Sequence, residues 1–87
     1  MTQIERIFVE FDAMEGAVLR MLGLVERRGF RIRRVAMAEQ PCGRRGSLAL
    51  PVAADHPGRS VGVLAAQLGR IHGVQRVTHE GVQEQAA

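Results

Sequence analysis

The spacing of the apolar residues changes twice along this chain, and this change limits the folds that are open to it. From Ile4 to Phe11 the apolar residues alternate, with Ile7 and Val9 on one face, as in a strand with one buried side. From Ala17 to Arg28 they recur at the three- and four-residue steps of an amphipathic helix. Gly29 then stands where a helix C-cap often takes a left-handed residue. These residues predict a strand followed by a helix.

The middle of the chain predicts two further strands. Residues 30–39 form the first, and its apolar parity slips at Arg33-Arg34. Either Phe30 and Ile32 therefore belong to the connection that follows the helix, or a β-bulge lies at Arg33-Arg34. The loop QPCGRRG (residues 40–46) separates it from the next strand, where apolar residues alternate from Leu48 to Val52. Pro51 cannot donate to a sheet ladder, so we expect it to mark the end of that strand.

A second helix and a fourth strand follow. Residues 55–58 (DHPG) predict a turn, and Ser60 is a good N-cap for a helix with an apolar stripe from Val61 to Ile71. This helix is expected to end by Gly73, and Val74–Glu80 predicts a short strand. The remaining residues, 81–87, are expected to fray.

The order strand–helix–strand–strand–helix–strand has few compact solutions. Strand–helix–strand crossovers are right-handed, and both helices must cover one face of the sheet. The sequence therefore predicts an α+β, ferredoxin-like βαββαβ fold with a four-stranded antiparallel sheet and two helices on one face. Residues 1–87 would form a single domain with a core over about 3–80. The open face and sheet edges favour a homodimer.

Composition and charge narrow the function classes. No apolar run reaches the roughly 20 residues of a membrane helix, and MTQIERIF is not a secretory signal, so we expect a cytoplasmic protein that does not enter membranes. The net charge is +3 and all twelve basic residues are Arg, but nine acids are interleaved with them. RNA-binding sheets of this topology stack bases on aromatic side chains. The predicted third strand has none, so an RNA-binding domain is a distant alternative.

Chemistry-bearing residues are sparse. Cys42 is the only cysteine, and with the three histidines it does not show metal-ligand spacing. Ser47 has no nucleophile motif around it, and Ser60 is interpreted as a helix cap. We therefore predict no catalytic residues and no metal site, and a protein that is not an enzyme.

The segment EGAVLRMLGLVERRGFRI, residues 15–32, resembles the ACT domain of acetolactate (acetohydroxyacid) synthase small subunits. Members of that family typically read PGVLxRVxGLFxRRGFNI here. A second segment, QLGRIHGVQRV (residues 67–77), is similar to the family's QLxKLxDVxxV. The short length resembles the single-domain type of subunit.

The resemblance implies a regulatory role in branched-chain amino-acid biosynthesis. Such subunits bind and activate the catalytic large subunit of acetolactate synthase, and many transmit feedback by an amino acid. Thiamine diphosphate, magnesium and flavin would belong to that partner, and this chain would need no cofactor. A free-standing ACT amino-acid sensor that assembles as a dimer is the alternative.

An effector would bind at the turn between the first strand and the first helix. The N–H groups at a helix N-terminus stabilise a carboxylate, and Gly16 permits close approach to the backbone, although a plain turn glycine is the simpler interpretation. The predicted ligand-binding residues are Asp12, Ala13, Met14, Glu15, Gly16, Ala17 and Arg31, the last at the family's GFNI position.

This chain departs from the family pattern at that turn. Valine-responsive members carry Asn where Ala13 and Arg31 stand here, and the usual Pro is Glu15. The Asn side-chain amides that would hold both ends of an amino acid are missing, and the Glu15 side chain would repel a carboxylate. We therefore expect weak or absent valine binding and an activating or assembly role.

Four residues are candidates for a protein interface. Gly23 lies within the first helix, on the face that carries Leu19, where a small residue suits close approach of another helix, although a tolerated glycine is an equal interpretation. Arg33 and Arg34 would meet acidic groups of a partner, or form a solvated strand edge.

Overall fold

A computed structural model describes residues 3–54 and 60–83 of the chain, in seven elements. The elements are β1 (Gln3–Asp12), α1 (Ala17–Arg27), β2 (Phe30–Ile32), β3 (Ala36–Glu39), β4 (Arg45–Ala54), α2 (Val61–Leu68) and β5 (Val74–Gln83). The sheet order is β2–β4–β1–β5, and β3 pairs with β4 beside β2. All of the pairings are antiparallel. The predicted α+β fold class is confirmed, but the sheet has five strands where we predicted four.

The extra strand arises because the predicted second strand is broken. Ile32 pairs with Val52 and Ala36 pairs with Ala49, so three residues of one strand lie opposite two of β4. One extra residue is the mark of a β-bulge, and it falls where the apolar parity slips. The extra residue shifts the alternation of side chains by one position. Phe30 and Met37, which are an odd number of residues apart, therefore both lie on the helix side of the sheet.

We expected Pro51 to end its strand, but it does not. It lies inside β4, opposite Arg6 on one side and the bulge on the other. Its carbonyl accepts a hydrogen bond from the Arg33 N–H at 2.9 Å. In an antiparallel strand the nitrogen of a residue points to the same side as its carbonyl, so the missing donor faces the bulge. Proline is tolerated within a sheet at such a position.

The core lies between the helices and the inner face of the sheet. Alternate residues of β1 and β4 are buried and pair across the strands, as Ile7 does with Leu50 and Val9 with Leu48. Met21 and Val25 of α1 meet them, as the helical stripe predicts. The buried cluster is Ile7, Val9, Phe11, Ala17, Met21, Val25, Phe30, Leu48, Leu50, Val52, Leu64 and Leu68.

The helix caps follow the sequence closely. Gly29 is left-handed with φ 86° and donates its N–H to the Glu26 carbonyl at 3.1 Å, which closes α1. The hydroxyl of Ser60 accepts the Val63 N–H at 3.3 Å, as predicted for an N-cap of α2. That helix ends at Leu68, earlier than its apolar stripe, and Ile71 packs against the core from the following turn.

The ends of the strands extend past their predicted limits. β4 begins within the predicted loop 40–46, and β5 continues to Gln83, so residues 81–83 pair with β1. The predicted 55–58 turn and residues 84–87 of the tail lie outside the described residues. In the described part of the chain, neither helix has the length and apolarity that crossing a membrane requires.

Candidate functional site

The turn between β1 and α1 holds six of the seven predicted ligand-binding residues. Asp12 closes β1, Ala17 opens α1, and Gly16 is the helix N-cap with a left-handed φ of 78°. No side chain caps the helix, since glycine has none to offer. The first N–H groups of a helix lack intrahelical acceptors. The Ala17 N–H donates to the Met14 carbonyl at 3.1 Å, so the turn itself takes up the first N–H group of α1.

Two hydrogen bonds fix the turn against neighbouring loops. The Asp12 N–H donates to the Gly73 carbonyl at 2.7 Å, and the Ala13 N–H donates to the Arg44 carbonyl at 2.8 Å. Gly73 has a φ of 93°, and a Cβ there would lie 2.9 Å from the sulfur of Met14. The left-handed backbone therefore favours glycine at Gly73, and a Cβ there would also displace the exposed Met14 side chain.

Two charged side chains near the turn, Asp12 and Arg20, make contacts within the chain. The Asp12 carboxylate accepts a hydrogen bond from Gln75 Nε2 at 3.0 Å and lies 4.0 Å from Arg45 Nε. The Arg20 guanidinium donates to the Glu15 carbonyl at 3.0 Å, which ties the end of the turn to the helix. Among residues 3–54 and 60–83, no group of acidic, histidine or cysteine side chains is arranged to hold a metal ion.

A cavity of about 300 Å³ lies beside the turn, on the helix side of the sheet. The last three residues of β3, 37–39, line one side of the cavity, and most of the lining is apolar. Only Ala13 and Met14 of the predicted ligand-binding residues contribute to it. The lining residues are Phe11, Ala13, Met14, Val18, Met37, Ala38, Glu39 and Gly46.

Sequence reasoning missed most of this lining. Met37 and Glu39 come beside Met14 only because the bulge turns their side of β3 toward the helices. The parity slip was a signal for the bulge, but not for its depth or direction. Gly46 contributes to the lining because it pairs with Phe11. A Cβ added at Gly46 would lie 2.9 Å from Cζ of the Phe11 ring.

Arg31 lies away from the turn. It pairs with Ala53 of β4, whereas Asp12 pairs with Arg45 of the same strand. These two β4 positions are eight residues apart, which at about 3.3 Å per residue is about 26 Å. One copy of the chain therefore does not bring Arg31 together with the other six predicted residues.

The predicted interface residues form two separate pairs. Leu19 is 76% exposed on α1, and a Cβ added at Gly23, one turn further on, would meet nothing within 4 Å. Arg33 and Arg34 are exposed at the bulge between β2 and β3. The helix pair offers an apolar surface, and the bulge pair offers a charged one.

Comparisons with known proteins agree with this architecture. A family model described as the ACT domain matches residues 13–77. The ACT domain from GTP pyrophosphokinase of Chlorobium tepidum is similar in structure, with a TM-score of 0.75 and 14% identity over 92% of this chain and 100% of that one. The C-terminal domain of the MgtC protein from Mycobacterium tuberculosis has a TM-score of 0.74 and 15% identity, over 99% and 94% of the two chains.

A formyltetrahydrofolate deformylase from Burkholderia mallei is also similar, with a TM-score of 0.67 and 13% identity. The match covers 92% of this chain and 28% of that one. At such identities the solved structures show the shared fold and nothing finer. No curated protein sequence matches the chain.

Proposed function

This chain belongs to the ACT domain family, and from that premise we propose that it is the regulatory small subunit of acetolactate synthase. ACT domains are typically regulatory, ligand-binding and non-catalytic. In this role the chain acts by binding the catalytic large subunit, which carries the chemistry.

The observation that carries the proposal is the outer face of α1. Among the side chains that the structure describes, Leu19 is the most exposed large apolar one, at 76%, and leaving it in water has a cost that a partner would remove. Residues four apart lie on one face of a helix, so Gly23 lies beside it. The open space at Gly23 lets a partner helix approach the backbone. The resemblance of residues 15–32 to acetolactate synthase small subunits covers this same face.

A binding experiment with the catalytic large subunit tests the proposal. We expect co-purification with the wild-type chain, and a loss of binding of at least about 10-fold for Leu19→Arg and for Gly23→Leu. Val63→Arg is the matched control, because Val63 is a 57%-exposed aliphatic residue on the other helix. Far-ultraviolet circular dichroism checks that each variant keeps its helices. No binding by the wild-type chain refutes the proposal, and equal loss with Val63→Arg refutes the outer face of α1 as the contact surface.

The cavity beside the β1–α1 turn favours a second candidate, a free-standing amino-acid sensor. Its volume of about 300 Å³ and its apolar lining suit a small aliphatic side chain. The turn has no side-chain amide at position 13, where Ala13 stands, and Arg31 is about 26 Å away along the sheet. An amino acid would therefore be held at one end only within a single chain.

Titration calorimetry tests whether the cavity binds an amino acid, as the second candidate requires. We expect valine, leucine and isoleucine to give no binding tighter than about 1 mM, because nothing in the cavity replaces the missing amides. Met14→Glu, which narrows and charges the cavity, should then change nothing in this assay. A micromolar signal that disappears in Met14→Glu would place an amino acid in the cavity, and it would establish the free-standing sensor if the wild-type chain also fails to bind the large subunit.

A further inference from the structure

The face of the sheet opposite the helices contains a groove of about 390 Å³. Phe8 of β1 lines it, with 37% of its side chain exposed. Ala49 of β4 lies opposite Phe8, and Ala36 of β3 lies beyond Ala49. Because these two side chains are small, the sheet offers a shallow, flat floor beside the Phe8 ring. A volume of this size next to an aromatic ring suits a planar ligand that stacks on the ring.

Two charged residues, Glu10 and Arg76, also line the groove. They are direct partners on β1 and β5, so a carboxylate and a guanidinium lie next to each other at one end of the Phe8 ring. Both side chains are exposed, and neither makes a hydrogen bond or an ion pair with any residue that the structure describes. Their hydrogen-bonding groups are therefore available to a ligand.

A second acid–base pair on the same two strands differs in this respect. Arg6 and Glu80 are also direct partners, on the other side of the Phe8 row, and they form an ion pair with 3.6 Å between Nη1 and Oε1. Neither of them lines the groove. The acid–base pair that stays open is thus the one that borders the groove.

The ligand that fits this groove is planar, with hydrogen-bond acceptors for a guanidinium beside N–H donors for a carboxylate. Guanine has this arrangement. Its O6 and N7 atoms accept a bidentate pair of hydrogen bonds from an arginine. On the adjoining edge, N1–H and the N2 amino group can donate to the two oxygens of a carboxylate. Adenine carries an amino donor in place of O6, so it would present a donor to Arg76.

We propose that this groove binds a guanine base. The base stacks on Phe8, accepts hydrogen bonds from Arg76 at O6 and N7, and donates to Glu10 from N1 and N2. Proteins bind unpaired bases by this combination of aromatic stacking and hydrogen bonds to the base edges. The base comes from a free guanine nucleotide or from single-stranded RNA, since both offer the same chemistry. This activity is separate from the regulatory role proposed above, because the groove includes no residue of α1.

Titrations of the full chain followed by heteronuclear NMR test the proposal. The probes are guanosine and adenosine monophosphate, and a uridine-rich single-stranded RNA that carries one guanosine or one adenosine. We expect the guanosine probe to shift the amide signals around Phe8, Glu10 and Arg76, and to bind at least about 5-fold more tightly than its adenosine counterpart. Binding of guanosine monophosphate identifies a free nucleotide as the source, and binding of the guanosine RNA alone identifies RNA.

Three variants make the test specific. Phe8→Leu should weaken guanosine binding about 10-fold, because leucine offers no ring for stacking. Glu10→Gln should weaken it about 10-fold and remove the preference over adenosine, because an amide has one acceptor oxygen where the carboxylate has two. Glu80→Gln is the matched control, since it makes the same change on the same strand pair outside the groove, and should bind as the wild-type chain does.

The amide spectra show whether each variant is folded. Attraction of phosphate to the positive chain predicts the opposite sign, because both Glu→Gln variants would then bind more tightly. That result, equal binding of the guanosine and adenosine probes, or equal loss in Glu10→Gln and Glu80→Gln overturns the proposal. Failure of both guanosine probes to bind overturns it as well.

Discussion

Two glycine positions show that adding a single Cβ atom can have opposite effects on the stability of this molecule. Gly46 is buried in β4 under the ring of Phe11, and a Cβ there would lie 2.9 Å from Cζ. Gly23 lies in the interior of α1, where an added Cβ meets nothing within 4 Å. The same substitution therefore has opposite consequences at the two sites.

We expect Gly46→Ala to lower the free energy of unfolding by about 1–3 kcal/mol, because the Phe11 ring must move from a packed site. We expect Gly23→Ala to raise it by about 1 kcal/mol, because alanine loses less backbone entropy in a helix. Urea denaturation followed by circular dichroism measures both. Equal effects of the two substitutions would contradict the described packing.

At the scale of elements, helix ends are the best-defined features. The α1 terminus uses a left-handed glycine, and the start of α2 uses a side-chain acceptor, Ser60. Because α2 has only eight residues, from Val61 to Leu68, each end group is a large share of its stability.

Ser60→Ala should therefore lower the free energy of unfolding by about 1 kcal/mol, since the Val63 N–H loses its acceptor. Ser60→Asp is the control, because its carboxylate can accept the same hydrogen bond and should keep stability within about 0.5 kcal/mol of the wild type. If both variants lose stability equally, the effect is not capping.

At the scale of the whole molecule, stability comes from one thin core. An 87-residue domain has little apolar volume to spare, and the described core has no buried polar or charged residue. The two described ion pairs, Arg6–Glu80 and Arg45–Asp12, join half-exposed side chains and contribute little. Packing of aliphatic side chains must therefore account for most of the favourable free energy.

We expect Leu50→Ala to lower the free energy of unfolding by about 2–5 kcal/mol, because Leu50 is fully buried at the centre of the sheet. Leu19→Ala removes the same atoms from a side chain that is 76% exposed, and should cost less than about 0.5 kcal/mol. The difference between their urea midpoints measures what burial contributes. Similar midpoints would refute this account of the core.

The sequence by itself determined β1, both helices and the order of the elements, although it predicted β2 and β3 as one strand. Alternation along β1, the helical stripe of α1 and the caps at Gly29 and Ser60 depend on residues close together in the chain, so local patterns carry them. The parity slip at Arg33-Arg34 located the bulge for the same reason. From the order of elements, general rules of connection led to the fold class.

Tertiary structure decided what depends on register between distant strands. Pro51 is accepted within β4 only because its missing donor faces the bulge. Met37 joins the cavity beside Met14, whereas Arg31 is carried to the other end of the sheet. A shift of one residue in pairing exchanges the two faces of a strand, and no local pattern contains that information. The ion pair of Arg6 with Glu80 likewise exists only once β1 and β5 are paired.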